Sequence, residues 1–142
     1  MQLAFAEAEA AAARGEVPVG AVVVVDGQVL AQAGNRTEEL NDPTAHAEIL
    51  ALRAAAALRA SPRLPDADLY VTLEPCAMCA AAISFARVRR VIFAAYDPKG
   101  GAVDHGGRFF TQPTCHHAPE VVGGVEEQRA AALLKKFFEK RR

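Results

Sequence analysis

Apolar and polar positions alternate in short blocks along the 142-residue chain. Residues 2–14 are rich in alanine and stop at Gly15, which predicts a helix with a glycine after its C-terminus. The segment AVVVVDGQVLAQA (21–33) predicts a hairpin turning at Asp26-Gly27, its valine run forming a strand buried on both faces. A loop with Asn35, Asn41 and Pro43 follows. Thr44 is placed to cap a helix running to about Ala60, which Pro62 and Pro65 end. DLYVTL (68–73) predicts a short buried strand, 77–86 a helix, and RRVIFAAY (89–96) another strand. Residues 97–118 form a long Gly/Pro/His loop, 120–124 a short fifth strand, and VEEQRAAALLKKFFEKRR an amphipathic helix. Strands alternating with helices, without repeat or linker, predict one α/β domain over residues 1–142, with a mixed sheet between helices.

Composition narrows the class. Half the residues are apolar (51%), enough for a hydrophobic core in a chain of this length. No apolar run spans a bilayer, and the first residues lack the basic lead of a secretory signal while carrying Glu7 and Glu9. The expectation is a cytoplasmic protein without a membrane partner. Net charge is −1, but residues 1–86 hold 5 Lys and Arg against 11 Asp and Glu, and residues 87–142 hold 11 against 6. A basic second half leaves room for a polyanionic partner; an ordinary solvated surface would look the same.

Three cysteines, Cys76, Cys79 and Cys115, suit metal or redox chemistry better than a disulfide framework. Cys76 and Cys79 form a C-x-x-C at a strand-to-helix junction, where the helix N-terminus favours thiolates. Alone, that pair fits a thioredoxin-like site, half a zinc ribbon, or chance. His46 begins the preceding helix. If both helix starts lie at one sheet edge, one imidazole and two thiolates form a three-ligand site suited to Zn²⁺, with a fourth position open for water. Glu48 would then take and return that water's proton. On a regular helix, residues two apart point about 200° from each other, so the pair converges only at the first turn. A closed structural zinc site would need a fourth ligand, for which Cys115, His105, His116 and His117 are available.

His-x-Glu followed by Pro-Cys-x-x-Cys is the signature of zinc-dependent base deaminases. The chain resembles the cytidine deaminase-like superfamily in that motif. Through EVPVGAV, GNR, NDPTAHAEI, LYVTLEPCAMCAAAI, DPKGGA and FFEKRR it resembles the bacterial tRNA-specific adenosine deaminases over about residues 3 to 142. The resemblance implies a three-layer α/β/α sandwich with about five strands, and one Zn²⁺ per subunit held by His46, Cys76 and Cys79. It implies hydrolytic conversion of adenosine to inosine at the wobble position of a tRNA anticodon stem-loop, with Glu48 as proton shuttle. It further implies base contact by Asn35, a base pocket lined by Val19 and the backbone around Ala47, and ribose and phosphate contacts near Asp97 and Lys99. Phe138, Arg141 and Arg142 match the C-terminal helix that touches RNA, with one of Phe137 and Phe138 expected in the core and the other at the rim. Residues 129–142 hold six Lys and Arg and one Glu. The resemblance is weakest over 97–118, where PTCHHAP carries His116 and Ala118 at positions where Asn and Arg are common in the family; His117 is the candidate RNA contact there. A homodimer is implied, and the small-residue helix at 77–86 suits close packing between subunits. Two other readings use the same residues: a deaminase of free cytosine, cytidine or guanine, and a structural zinc module that binds RNA or protein.

Overall fold

The computed structural model describes residues 1–141. Four helices, α1 (Gln2–Ala13), α2 (Ala47–Arg59), α3 (Ala77–Phe85) and α4 (Glu127–Glu139), enclose a sheet. Its strands are β1 (Gly20–Val25), β2 (Gln28–Gly34), β3 (Asp68–Leu73), β4 (Arg90–Ala95) and β5 (Glu120–Val122), in the order β2-β1-β3-β4-β5. β1 runs antiparallel to β2 and β3, whereas β3, β4 and β5 are mutually parallel. The sheet is therefore mixed. The parallel part forces crossovers, which α3 and the long segment after β4 supply.

Asp26 and Gly27 both have positive φ (49° and 77°), the signature of a tight hairpin turn between β1 and β2. Side chains alternate across the sheet. Ala21, Val23, Leu69, Val71, Val91 and Phe93 pack with Ala51, Leu52 and Ala55 of α2 and Ile83 of α3. Phe5 of α1, Ala94, Ala95 and Ala130 of α4 form a second buried cluster. The result is a three-layer α/β/α sandwich. α1 lies so close to the start of β1 that a Cβ on Gly20 would meet the Ala4 carbonyl oxygen at 1.9 Å. Among the described residues, no helix is long and apolar enough to cross a membrane.

One expected boundary moves, and the move matters. Thr44 does not cap α2: its hydroxyl and its N–H both turn back to Asp42 Oδ1, at 2.7 and 2.8 Å. The N-cap is His46, in extended backbone (φ −74°, ψ 152°), so helical geometry begins only at Ala47. The expected loop 97–118 also contains one 3₁₀ turn, Phe109–Thr111.

Candidate active site

α2 and α3 start side by side. His46 is the N-cap of α2 and Cys76 the N-cap of α3, each in extended backbone, with Cys79 one turn further along α3. His46 Nδ1 lies 3.6 Å from Cys76 Sγ and 3.5 Å from Cys79 Sγ. The three ligand atoms lie within 4.8 Å of one another. One borderline nitrogen and two soft sulfurs at helix starts, where the backbone dipoles favour thiolates, are a donor set for Zn²⁺. Cys115, available in the sequence as a fourth ligand, stands elsewhere, its Sγ 3.5 Å from Ser84 Oγ.

The 200° difficulty with Glu48 disappears at this cap. Because His46 sits outside the helix, its direction is set by extended backbone, while Glu48 is the second helical residue and turns inward. Glu48 is 4% exposed and, with His46 and Cys76, lines a cleft of about 310 Å³. That is near the lower end of small-molecule sites. Burial pushes the Glu48 carboxyl up to about 7, where it can both accept and release a proton near neutrality. The Cys79 thiol hydrogen bond, with help from the His46 ring, draws Cys76 down to about 4, while that contact and burial push Cys79 up. The Cys76 contact in turn raises His46, against the effect of burial. Before metal binds, the negative charge of the sulfur pair thus rests on the more exposed Cys76.

The rest of the cleft is assembled from four segments. Val17, Val19 and Leu73 give apolar walls; Asn35, Thr37, Glu74, Asp97 and Gly100 give polar ones. The Asn35 carboxamide oxygen accepts the Ala47 N–H at 2.7 Å. Ala47 therefore offers no backbone donor to a ligand; it acts through Asn35, whose NH₂ is left as the donor. Asp97 Oδ1 accepts the N–H groups of Lys99 and Gly100, closing a tight turn. Beyond Asp97 the cleft opens into a groove lined by Tyr96, Asp97, Lys99, Leu134, Phe138 and Arg141. Phe137 is buried at 9% exposure and Phe138 stands on the groove wall at 49%. Arg141 donates to the Gly15 carbonyl at 3.0 Å and stacks over the Phe137 ring, which fixes the end of α4 beside α1. Arg142 lies outside the described residues.

His117 is not brought to this cleft. Its Nε2 hydrogen-bonds the Val88 carbonyl at 2.7 Å, before the start of β4 and so at the opposite sheet edge from Cys76. Within the chain His117 acts as a tether of the loop.

Sequence reasoning missed two buried carboxylates. Glu16, after α1, accepts the Glu38 and Glu39 N–H groups at 3.2 and 2.8 Å and the Thr37 hydroxyl at 3.4 Å. Glu74, at the end of β3, gathers the loop after β4. In both, burial pushes the carboxyl up, but these hydrogen bonds prevail and hold it below the usual range. The available signal was physical: irregular backbone beside a core needs hydrogen-bond partners, and each Glu lies just past a helix or apolar strand.

Residues 1–95 match the model of the cytidine and deoxycytidylate deaminase zinc-binding region. The fold and the ligand set together define a zinc-dependent hydrolase of the cytidine deaminase-like class, with one zinc per subunit. The chain is 61% identical over 142 residues to a tRNA-specific adenosine deaminase of Agrobacterium fabrum, covering 100% of this chain and 93% of that one. It is 44% identical to the Rickettsia bellii protein of the same name, covering 99% and 98%. A solved structure from a study of A-to-I editing by tRNA:A34 deaminases superimposes with a TM-score of 0.93 at 63% identity, over 94% of this chain and 97% of that one. The chain belongs to the tRNA-specific adenosine deaminase family.

Proposed function

We propose that this chain, acting as a single domain, converts adenosine to inosine at the wobble position of a tRNA anticodon. The observation that carries the reading is continuity. The cleft holding His46, Cys76, Cys79 and Glu48 runs into a groove that bears Lys99, Arg141 and an exposed aromatic, Phe138. A free-base enzyme needs the cleft but has no use for such a groove, whereas a base displayed from an RNA loop brings phosphates and neighbouring bases with it.

Bound zinc supplies Lewis acidity that makes water nucleophilic near neutral pH. The chain's own residues do the rest. The apolar walls at Val17, Val19 and Leu73 exclude bulk water around the base. Asn35, held by Ala47, turns its NH₂ donor toward a base acceptor. Glu48 takes a proton from the attacking water and delivers it to the departing amine, so that the water oxygen replaces nitrogen at C6 and ammonia leaves. Asp97, with Oδ1 committed to its turn, keeps Oδ2 for a ribose hydroxyl. Lys99 and Arg141 meet phosphates, and Phe138 stacks on a flanking base. Arg142 belongs to the same proposed contact on sequence grounds.

The protein is proposed to work as a homodimer in the cytoplasm. Supporting the dimer is an apolar groove on the outer faces of α2 and α3, lined by Ile49, Leu52, Ala56, Ala82 and Phe85, with Phe85 70% exposed.

The test is inosine formation in an anticodon stem-loop carrying a wobble adenosine, beside free adenosine, cytidine, cytosine and guanine. Turnover of the stem-loop alone is expected. Turnover of a free base or nucleoside with none of the RNA would overturn the substrate while leaving the zinc site standing.

A further inference from the structure

The segment after β4, DPKGGAVDHGG, contains four glycines and no regular structure between Asp97 and Gly107. Such a chain would ordinarily sample many conformations. Here Asp97 closes the tight turn at 97–101, and one side chain, Glu74, ties the two ends of the loop together. Glu74 has a side-chain exposure of 0%. Its Oε1 accepts the Asp97 N–H at 3.0 Å and faces His105 Nδ1 at 2.8 Å. Its Oε2 accepts the N–H groups of Val103, Asp104 and His105 at 3.1, 3.0 and 3.1 Å. The loop thus closes on a single carboxylate at both ends. A sixth bond, from the Ala102 N–H to the Pro75 carbonyl at 2.9 Å, fixes its middle.

The same loop is substrate-facing. Asp97 and Gly100 line the cleft, Lys99 and Asp97 line the groove, and Glu74 itself lies on the cleft wall. Gly101 leaves no slack, since a Cβ there would stand 2.5 Å from Glu74 Oε2 and 2.6 Å from the Asp97 carbonyl oxygen. The zinc-binding side chains make none of these contacts: they are held by the starts of α2 and α3.

We propose that Glu74 is a positioning residue for substrate: it sets the 97–105 loop so that Asp97 and Lys99 stand ready at the junction of cleft and groove, and contributes to binding rather than to the metal site. This rests on the RNA reading for the identity of the substrate, but not for the role of the loop. A glutamine at 74 replaces one acceptor oxygen with a donor that faces N–H groups, so the loop loses either its Asp97 end or its 103–105 end.

The experiment compares wild type, Glu74→Gln and Gly101→Ala, the last displacing the loop while keeping the carboxylate. For each, zinc content, steady-state kcat and KM on the stem-loop, and hydrogen exchange of the amides at 97 and 103–105 are measured. Both variants are expected to keep one zinc per subunit and to exchange those amides faster. KM should rise roughly tenfold to a hundredfold, with kcat changing much less. Faster exchange with an unchanged KM would overturn the proposal. Loss of zinc, or a fall in kcat at constant KM, in Gly101→Ala and in any Glu74→Gln protein that folds, would overturn it too by making Glu74 a support of the metal site. If wild type fails on the stem-loop, the substrate reading falls instead, and the same KM comparison is made on whichever free base or nucleoside it turns over.

Discussion

The Asn35 carboxamide oxygen accepts a 2.7 Å hydrogen bond from the Ala47 N–H, the amide that lies between His46 and Glu48. One side chain from the end of the hairpin therefore sets the first turn of α2, and with it the His46 imidazole and the Glu48 carboxylate on either side. Asn35→Ala should leave that buried N–H without a partner, lowering stability by about 1–3 kcal/mol, and should also reduce turnover, since the donor toward the base is lost. Urea melts of the zinc-loaded protein test the first half. An unchanged midpoint would mean that water or another group takes over the Ala47 amide.

Glu48 stands outside the His46–Cys76–Cys79 donor cluster and lies in the wall of the cleft. Glu48→Ala is expected to retain zinc and fold while activity falls by roughly 10²–10⁴-fold. Zinc analysis beside inosine assays decides it, and near-wild-type turnover would remove Glu48 from the mechanism.

Zinc removal should expose a reactive thiolate. In the metal-free protein Cys76 is partly exposed and drawn down to about 4, while Cys79 is fully buried and pushed up. Iodoacetamide at pH 6 should therefore alkylate Cys76 well ahead of Cys79 once zinc is chelated, and neither when zinc is present. Mass spectrometry of digested protein reads this directly. Equal labelling of both cysteines without metal would contradict the charge distribution described.

Phe137 and Phe138 are neighbours with opposite exposure. Phe138→Ala should leave the melting temperature nearly unchanged and weaken stem-loop binding by about 1–3 kcal/mol. Phe137→Ala removes a buried ring on which Arg141 also stacks, and should destabilise the fold by roughly 3 kcal/mol. Thermal melts and binding titrations on the two proteins separate the cases; a reversed pattern would place the wrong ring in the groove.

Asp68 gives a pH prediction away from the site. Burial pushes its carboxyl up, but hydrogen bonds from Arg89 and Arg90, at 2.9–3.1 Å, more than offset this and hold it below its ordinary 3.8. The folded state therefore binds this proton more weakly than the unfolded state. The stabilisation is complete above pH 3.8 and is lost as pH falls through the lower folded value. Asp68→Asn should cost about 1.5–3 kcal/mol at neutral pH, and its deficit against wild type should shrink below pH 3.8. A constant deficit down to pH 2 would show that the charge is not what matters.

The sequence by itself determined the elements and the chemistry. Strand and helix periods, the Asp26-Gly27 turn and the proline stops act over neighbouring residues, so they were legible without a fold. The ligand triad was legible for a related reason. His46, Cys76 and Cys79 fall in a short motif of fixed spacing, His-x-Glu followed by Pro-Cys-x-x-Cys, which names the ligands before any fold is known; that the two helix starts meet at one sheet edge follows from β2 and β3 running the same way on either side of β1. Family resemblance added the substrate. Tertiary structure decided what depends on distance across the chain. It made His46 rather than Thr44 the cap of α2, because Asp42 captures Thr44 locally. It carried His117 to the far sheet edge, chose Phe137 for the core, and gave Glu16 and Glu74 their loops to hold. Local sequence cannot specify these outcomes, since a side chain's partner is fixed only when sheet order and helix packing bring remote segments within hydrogen-bond range.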